Sequence, residues 1–164
     1  MSDNHTGMSD ARGPDVRIPP PLLFVAGWLA GWWLDRRLVF EIDGGGAGVV
    51  QTSLGGLMAA VGLVLMWWGM TTFIRARTSI LPRRPARALV RGGPYGWSRN
   101  PMYLGLTVAY VGLAVLANRV WPLVWLPVVL IVLTTAVIRR EEAYLRGAFG
   151  EAYEAYRRQV RRWV

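Results

Sequence analysis

Residues 49–74 run without one charged side chain, and their polar patches are confined to Gln51-Thr52-Ser53 and Thr71-Thr72. A helix needs roughly 20 consecutive apolar residues to cross a hydrocarbon core, and at that depth every backbone N–H and C=O must be satisfied within the segment. Such a run confines this part of the chain to an α-helix. Residues 101–117 and 120–138 form two more apolar blocks, and 20–34 a shorter fourth. The fourth predicts a span of about 18–40 if flanking residues such as Arg17-Ile18-Pro19 join it, or if it continues past Asp35-Arg36-Arg37 by snorkelling. Its Trp32-Trp33-Leu34 stands where a signal-peptide cleavage site needs small residues, so an uncleaved first helix is expected.

The predicted fold is therefore all-α, a polytopic membrane protein of about four transmembrane helices (about 18–40, 49–74, 101–117 and 120–138). One domain covers 18–164, behind a low-hydrophobicity tail, 1–17, that carries the single histidine, His5. Gly55, Gly56, Ala59, Ala60 and Gly62 allow close helix contact along the second span, and Trp67 and Trp68 suit an interfacial belt. Cysteine is absent, which excludes disulfides, thiolate metal sites and cysteine nucleophiles.

Every basic residue other than His5 is arginine, and of these 19, seven lie in 75–99 and seven in 139–162. The connection 35–48 and the turn Asn118-Arg119 are poor in them. Arginine-rich loops stay cytoplasmic, so four spans with both termini inside satisfy the pattern, in an inner or cytoplasmic membrane. Anionic head groups account for the net charge of +9 without a nucleic-acid partner.

Pro82, Pro85 and Pro94 prevent the 75–99 loop from forming one helix, which makes it an irregular cap. Asn100-Pro101 then reads as the N-cap and first residue of the third span, with Arg99 beside a helix N-terminus suited to an anionic group. The short turn at Asn118-Arg119 predicts an antiparallel hairpin that brings Arg99, Asn100, Met102 and Tyr103 to Arg139, Arg140, Glu141 and Glu142. Pro127 is expected to kink the fourth span. Beyond it, Leu145, Phe149, Tyr153, Tyr156, Val160 and Trp163 recur at helical spacing, which predicts amphipathic helices over 139–162, broken near Gly147 and Gly150.

The pattern Gly-Pro-Tyr-x-x-x-Arg-Asn-Pro-Met-Tyr-x-Gly from 93 to 105, followed by Arg-Arg-Glu-Glu-x-x-Leu-x-x-x-Phe-Gly-x-x-Tyr-x-x-Tyr from 139 to 156, resembles the integral-membrane methyltransferases related to isoprenylcysteine carboxyl methyltransferase. Phospholipid methyltransferases share that scheme, and the resemblance covers roughly 70–163. It implies a helical bundle holding S-adenosylmethionine on the cytoplasmic side, a methyl acceptor arriving from the bilayer, and no metal. Carried onto this chain, it makes Tyr95, Arg99, Asn100, Pro101, Tyr103, Leu104, Glu141, Glu142 and Tyr153 the cofactor-binding candidates, with Arg99, Tyr103 and Glu142 nearest the chemistry. In this chain Asn100 stands where many relatives carry histidine between the arginine and proline, so no imidazole base is implied.

The chemistry of those residue types agrees. A guanidinium suits the cofactor's carboxylate, Glu141 and Glu142 suit its ammonium or ribose hydroxyls, and Tyr95, Trp97, Tyr103 or Tyr153 could stack on adenine. Methyl transfer needs in-line approach and desolvation more than a nucleophilic side chain. The expected acceptor is hydrophobic or amphiphilic, a lipid or prenyl compound, reaching the site past Met102, Leu104, Leu106 and Tyr110 among membrane lipids. Two other readings remain open: methylation of a small thiol or amine, and a non-enzymatic scaffold that binds lipid head groups.

Overall fold

In a computed structural model the described residues are 16, 18–44, 47–77, 86 and 88–164. They form an all-helical protein: α1 (Pro20–Asp35), α2 (Val49–Arg75), α3 (Pro101–Leu116), α4 (Trp121–Val132) and α5 (Arg139–Gln159), with a π-helical stretch, Leu133–Ile138, joining α4 to α5. His5, Pro82 and Pro85 lie outside the described residues. Prolines at the first turns of α1, α3 and α4 start those helices where a missing N–H costs nothing. Among the described residues two helices are long and apolar enough to cross a membrane, α2 and the continuous rod from Trp121. At 16 residues each, α1 and α3 reach only about 24 Å, so their flanking residues must complete a crossing.

Two helix pairs make the bundle. Small residues let α2 lie backbone-to-backbone on α3: its buried positions are Gly55, Ala59, Gly62 and Gly69, opposite Gly105, Ala109 and Gly112. A Cβ at Gly105 would stand 2.6 Å from both the Gly62 oxygen and the Met66 nitrogen. Between membrane helices, where lipid removes the hydrophobic drive to associate, such close contact supplies the packing. The second pair is α1 on α4, with Gly27 against Val129 and Gly31 against the backbone of Pro122.

Tyr110 of α3 ties the pairs together. Its ring meets Phe24 and Trp28 edge-on, at 6.0 and 5.4 Å, and its hydroxyl donates to the Pro122 oxygen at 2.9 Å. The expected hairpin of the third and fourth spans is thus present in connection but not in packing, because each helix has a better-fitting partner elsewhere. The same contacts make Tyr110 a core residue and not the lining of a lateral passage.

Pro127 sits inside α4 and the helix continues through it; the departure from α-helix comes later, over the π-helical stretch whose Leu133, Val137 and Ile138 are buried. In the C-terminal helix the break falls at Gly150 (φ 50°), a left-handed conformation that favours glycine, while Gly147 stays helical. The helix also ends at Gln159, short of the expected 162, because Val160 turns extended. As the apolar stripe requires, Tyr153, Tyr156 and Val160 form a cluster with Leu89, Leu145 and Phe149. At the opposite end of the bundle Asn118 adopts a positive φ and ties the loops, exchanging hydrogen bonds with the Asp43 backbone at 2.9 Å each.

Candidate functional site

Three pieces of chain converge at the start of α3: a 3-10 turn at Gly93–Gly96, residues 97–100, and the end of the chain beyond α5. The turn buries Pro94 and Tyr95 and is pinned to α5 by Tyr156, whose hydroxyl donates to the Tyr95 oxygen at 2.7 Å. Alongside it runs the extended tail. The Arg99 N–H donates to the Arg161 oxygen at 2.9 Å, and Ser98 Oγ and Asn100 Nδ2 donate to the Arg162 oxygen at 3.3 and 3.0 Å.

This tail changes the role expected of Asn100. Its side chain makes no cap bond to α3 and holds the tail instead, while its own N–H donates to Ser98 Oγ at 3.1 Å. The carbonyl of Arg162 outcompetes the helix's free N–H groups for this side chain, and Pro101 has already removed one of those groups.

The tail also delivers a charge. Arg162 grips Glu142 with two bonds, Nε to Oε1 at 2.9 Å and Nη2 to Oε2 at 2.7 Å, and this pairing raises the Arg162 pKa further. On the same carboxylate, Arg99 Nη2 lies 3.3 Å from Oε1. The side chains of Arg99 and Glu142 are each only 10% exposed. Two guanidiniums thus meet on one carboxylate that is nearly buried. Arg99 Nε and Nη1 are buried without a hydrogen bond of good geometry, the Tyr153 hydroxyl being the polar group that faces the guanidinium. Orphan buried donors are costly, so the arrangement is primed for an added acceptor, and a guanidinium's strongest acceptors are carboxylate and phosphate.

Beside this cluster, Tyr103 Oη donates to Glu141 Oε1 at 2.8 Å, linking the first turn of α3 to the first turn of α5. Tyr95 contributes a second orphan, its buried hydroxyl. Burial, reinforced by Tyr156 and Glu141, pushes its pKa up, so it stays a neutral phenol able to donate or accept.

Of the residues singled out from sequence, Arg99, Asn100, Pro101, Tyr103, Glu141 and Glu142 are brought together, with Tyr95 closing one side and Tyr153, fully buried against Tyr156, the other. Leu104 follows in the first turn of α3, its N–H bonded to the Asn100 oxygen. Trp97 is not drawn in: it is 66% exposed and meets Trp68 edge-on at 5.4 Å, a pair suited to the membrane interface. The Tyr95 ring packs on Phe73 at 5.0 Å. Arg162 and Ser98 were not among the candidates, and Tyr156, which the sequence offers with Tyr153 as a pocket lid, instead pins the 93–96 turn. Arg162 reads as one more charge on the polar face of a helix, since no glycine or proline marks the exit at Val160.

Comparison with known proteins bears on this arrangement. A family model described as phospholipid methyltransferase matches residues 50–152. A protein-S-isoprenylcysteine O-methyltransferase of Schizosaccharomyces pombe is 33% identical over 78 residues, 48% of this chain and 33% of that protein. An uncharacterised Haemophilus influenzae protein is 40% identical over 68 residues, 38% of this chain and all of that one. Among solved structures, the eukaryotic intramembrane Ras methyltransferase, isoprenylcysteine carboxyl methyltransferase, superimposes with a TM-score of 0.61 over 85% of this chain and 50% of its own, at 20% identity, a likeness of fold. The chain thus spans a third of the yeast relative and half of the solved enzyme.

Proposed function

Because the chain belongs to the phospholipid methyltransferase family, whose model matches more than half of it, we propose that it is an integral-membrane, S-adenosylmethionine-dependent methyltransferase acting on a lipid or similar amphiphilic acceptor. The observation that carries this reading is Arg99: a buried guanidinium, fixed by Glu142, with two donors lacking a hydrogen bond of good geometry at the start of a membrane helix.

The residues present fit the cofactor. When bound, S-adenosylmethionine supplies an electrophilic methyl group on a sulfonium. Arg99 would hold its carboxylate, while Arg162 keeps Glu142 occupied and the guanidinium in place. Glu141, oriented by Tyr103, would take the ammonium: burial pushes its carboxyl up to about 7, and a bound cation would hold it in the charged form. Tyr95 offers its free hydroxyl, and Pro101, Leu104 and Tyr153 help to exclude water. Methyl transfer then depends on positioning an acceptor in line with the sulfonium, with Arg99, Tyr103 and Glu142 as positioning groups.

The direct test uses the purified protein in phospholipid nanodiscs with methyl-labelled S-adenosylmethionine. Label is expected in the lipid extract; label in no lipid fraction, with no saturable cofactor binding, overturns the proposal in favour of a non-enzymatic head-group binder.

Orientation follows from the arginine distribution, which puts the site and both termini on the cytoplasmic side. Glycines 44 and 92 have open space where a Cβ would go, and the chain contains no native cysteine. Gly44→Cys is expected to react with an impermeant maleimide from outside intact cells, and Gly92→Cys only after permeabilisation. The reverse pattern contradicts the assignment.

A further inference from the structure

At the end of the bundle opposite Arg99 and Glu142, where α1 finishes and α3 turns into α4, lies a cavity of about 200 Å³. It is lined by Trp28, Trp32, Asp35, Ala117, Arg119 and Pro122. Asp35 is only 8% exposed. Its Oδ2 lies 3.2 Å from Arg119 Nη1, which also stands 3.8 Å from Glu41 Oε1. Asp35 Oδ1 is buried without a hydrogen bond, and Arg119 Nη1 meets Asp35 and Glu41 as ion pairs outside hydrogen-bond geometry, which leaves the guanidinium N–H groups able to take a further acceptor. The cavity is therefore walled by an acceptor and a donor of opposite charge, each with unused capacity, and by two indoles.

We propose that this cavity binds a zwitterionic ammonium–phosphate head group, the ammonium against Asp35 Oδ1 and the indoles, the phosphate at Arg119. An ammonium supplies the donor that the buried carboxylate oxygen lacks, and indole faces attract cations. The Arg36 guanidinium already lies 4.0 Å over the Trp32 ring, so that ring serves as a cation acceptor. A phosphate oxygen is the matching acceptor for the guanidinium. In size the cavity falls below the roughly 300 Å³ at which drug-sized pockets begin, which suits a head group without its chains. Those chains have a surface to follow, since Leu22, Val25 and Leu29, earlier on α1, are exposed. This site is distinct from the cluster at Arg99 and does not depend on the methyltransferase reading.

Native mass spectrometry of the full chain, released from detergent with phosphatidylethanolamine or phosphatidylglycerol, tests the proposal. One retained phosphatidylethanolamine per chain is expected, at least about tenfold in preference to phosphatidylglycerol, a difference of one discriminating interaction. Asp35→Asn is expected to bring the two lipids to parity. Ala117→Leu fills the cavity without touching its charges and is expected to abolish retention, which keeps the test decisive should Asp35→Asn fail to fold. Displacement of the lipid by millimolar phosphoethanolamine would show that the free head group suffices; retention against it assigns the site to membrane lipid. Equal retention of both lipids by the native protein, or undiminished retention by Ala117→Leu, overturns the proposal and leaves water as the partner of Asp35.

Discussion

Glu142→Gln is expected to be the most damaging conservative change at the site, lowering stability by about 3 kcal/mol. Breaking a buried ion pair by neutralising one partner strands the other charge, at about 3 to 5 kcal/mol. The lower end applies because the Arg162 side chain is 35% exposed and can turn to water, whereas Arg99, at 10%, cannot. For a chain of this length that is a fall of about 6 to 12 °C in the detergent-solubilised melting temperature, read by size-exclusion chromatography after heating. Arg162→Leu should cost less, because Arg99 still faces Glu142. A melting temperature for Glu142→Gln within a degree of the native value would mean that the carboxylate is not what holds the two arginines.

Gly105→Ala is expected to cost at least about 2 kcal/mol, and Gly105→Leu to abolish accumulation of folded protein. The added Cβ would lie 2.6 Å from the Gly62 oxygen and the Met66 nitrogen. Both are backbone atoms of α2, so no side-chain rotation relieves the contact and the helices must separate. Overpacking usually costs about 1 to 3 kcal/mol, and here the separation would also undo the neighbouring contacts of Gly55, Gly62 and Gly112. Gly56→Ala, on α2 with nothing within 4 Å of its Cβ, should be neutral or stabilising. Equal yields and melting temperatures for Gly56→Ala and Gly105→Ala would contradict the backbone-to-backbone packing of α2 on α3.

Apolar block length made the helices legible, since a run such as 49–74 has one stable form in a bilayer. Helix partners were not legible. The turn at Asn118 is short enough to force a hairpin in connectivity, but packing is decided by surface shape, and the glycines of α2 and α3 fit each other better than α3 fits α4. The π-helical stretch at Leu133–Ile138 likewise leaves no trace in periodicity, because four apolar residues and two threonines read the same in either winding.

At the site, the motif located the residues and tertiary contact set their roles. Asn100 followed by Pro101 has the composition of a cap, yet its amide is taken by the Arg162 carbonyl, a residue 62 positions away. Glu142 looked like a ligand for a cationic group, but Arg162 of the tail engages both its oxygens and Arg99 shares Oε1; its work is to hold Arg99. Glu141, one residue earlier, is the carboxylate left to meet a ligand.

Isothermal titration of the native protein and of Arg99→Gln with S-adenosylmethionine bears most directly on whether this guanidinium is an anion site. Arg99→Gln should fold, because Arg162 continues to neutralise Glu142. Losing a desolvated charged contact costs about 2 to 5 kcal/mol, so affinity is expected to fall by roughly 30- to several-thousand-fold while the melting temperature stays close to native. Saturable binding of equal affinity in both proteins, or none in the native one, would contradict the account.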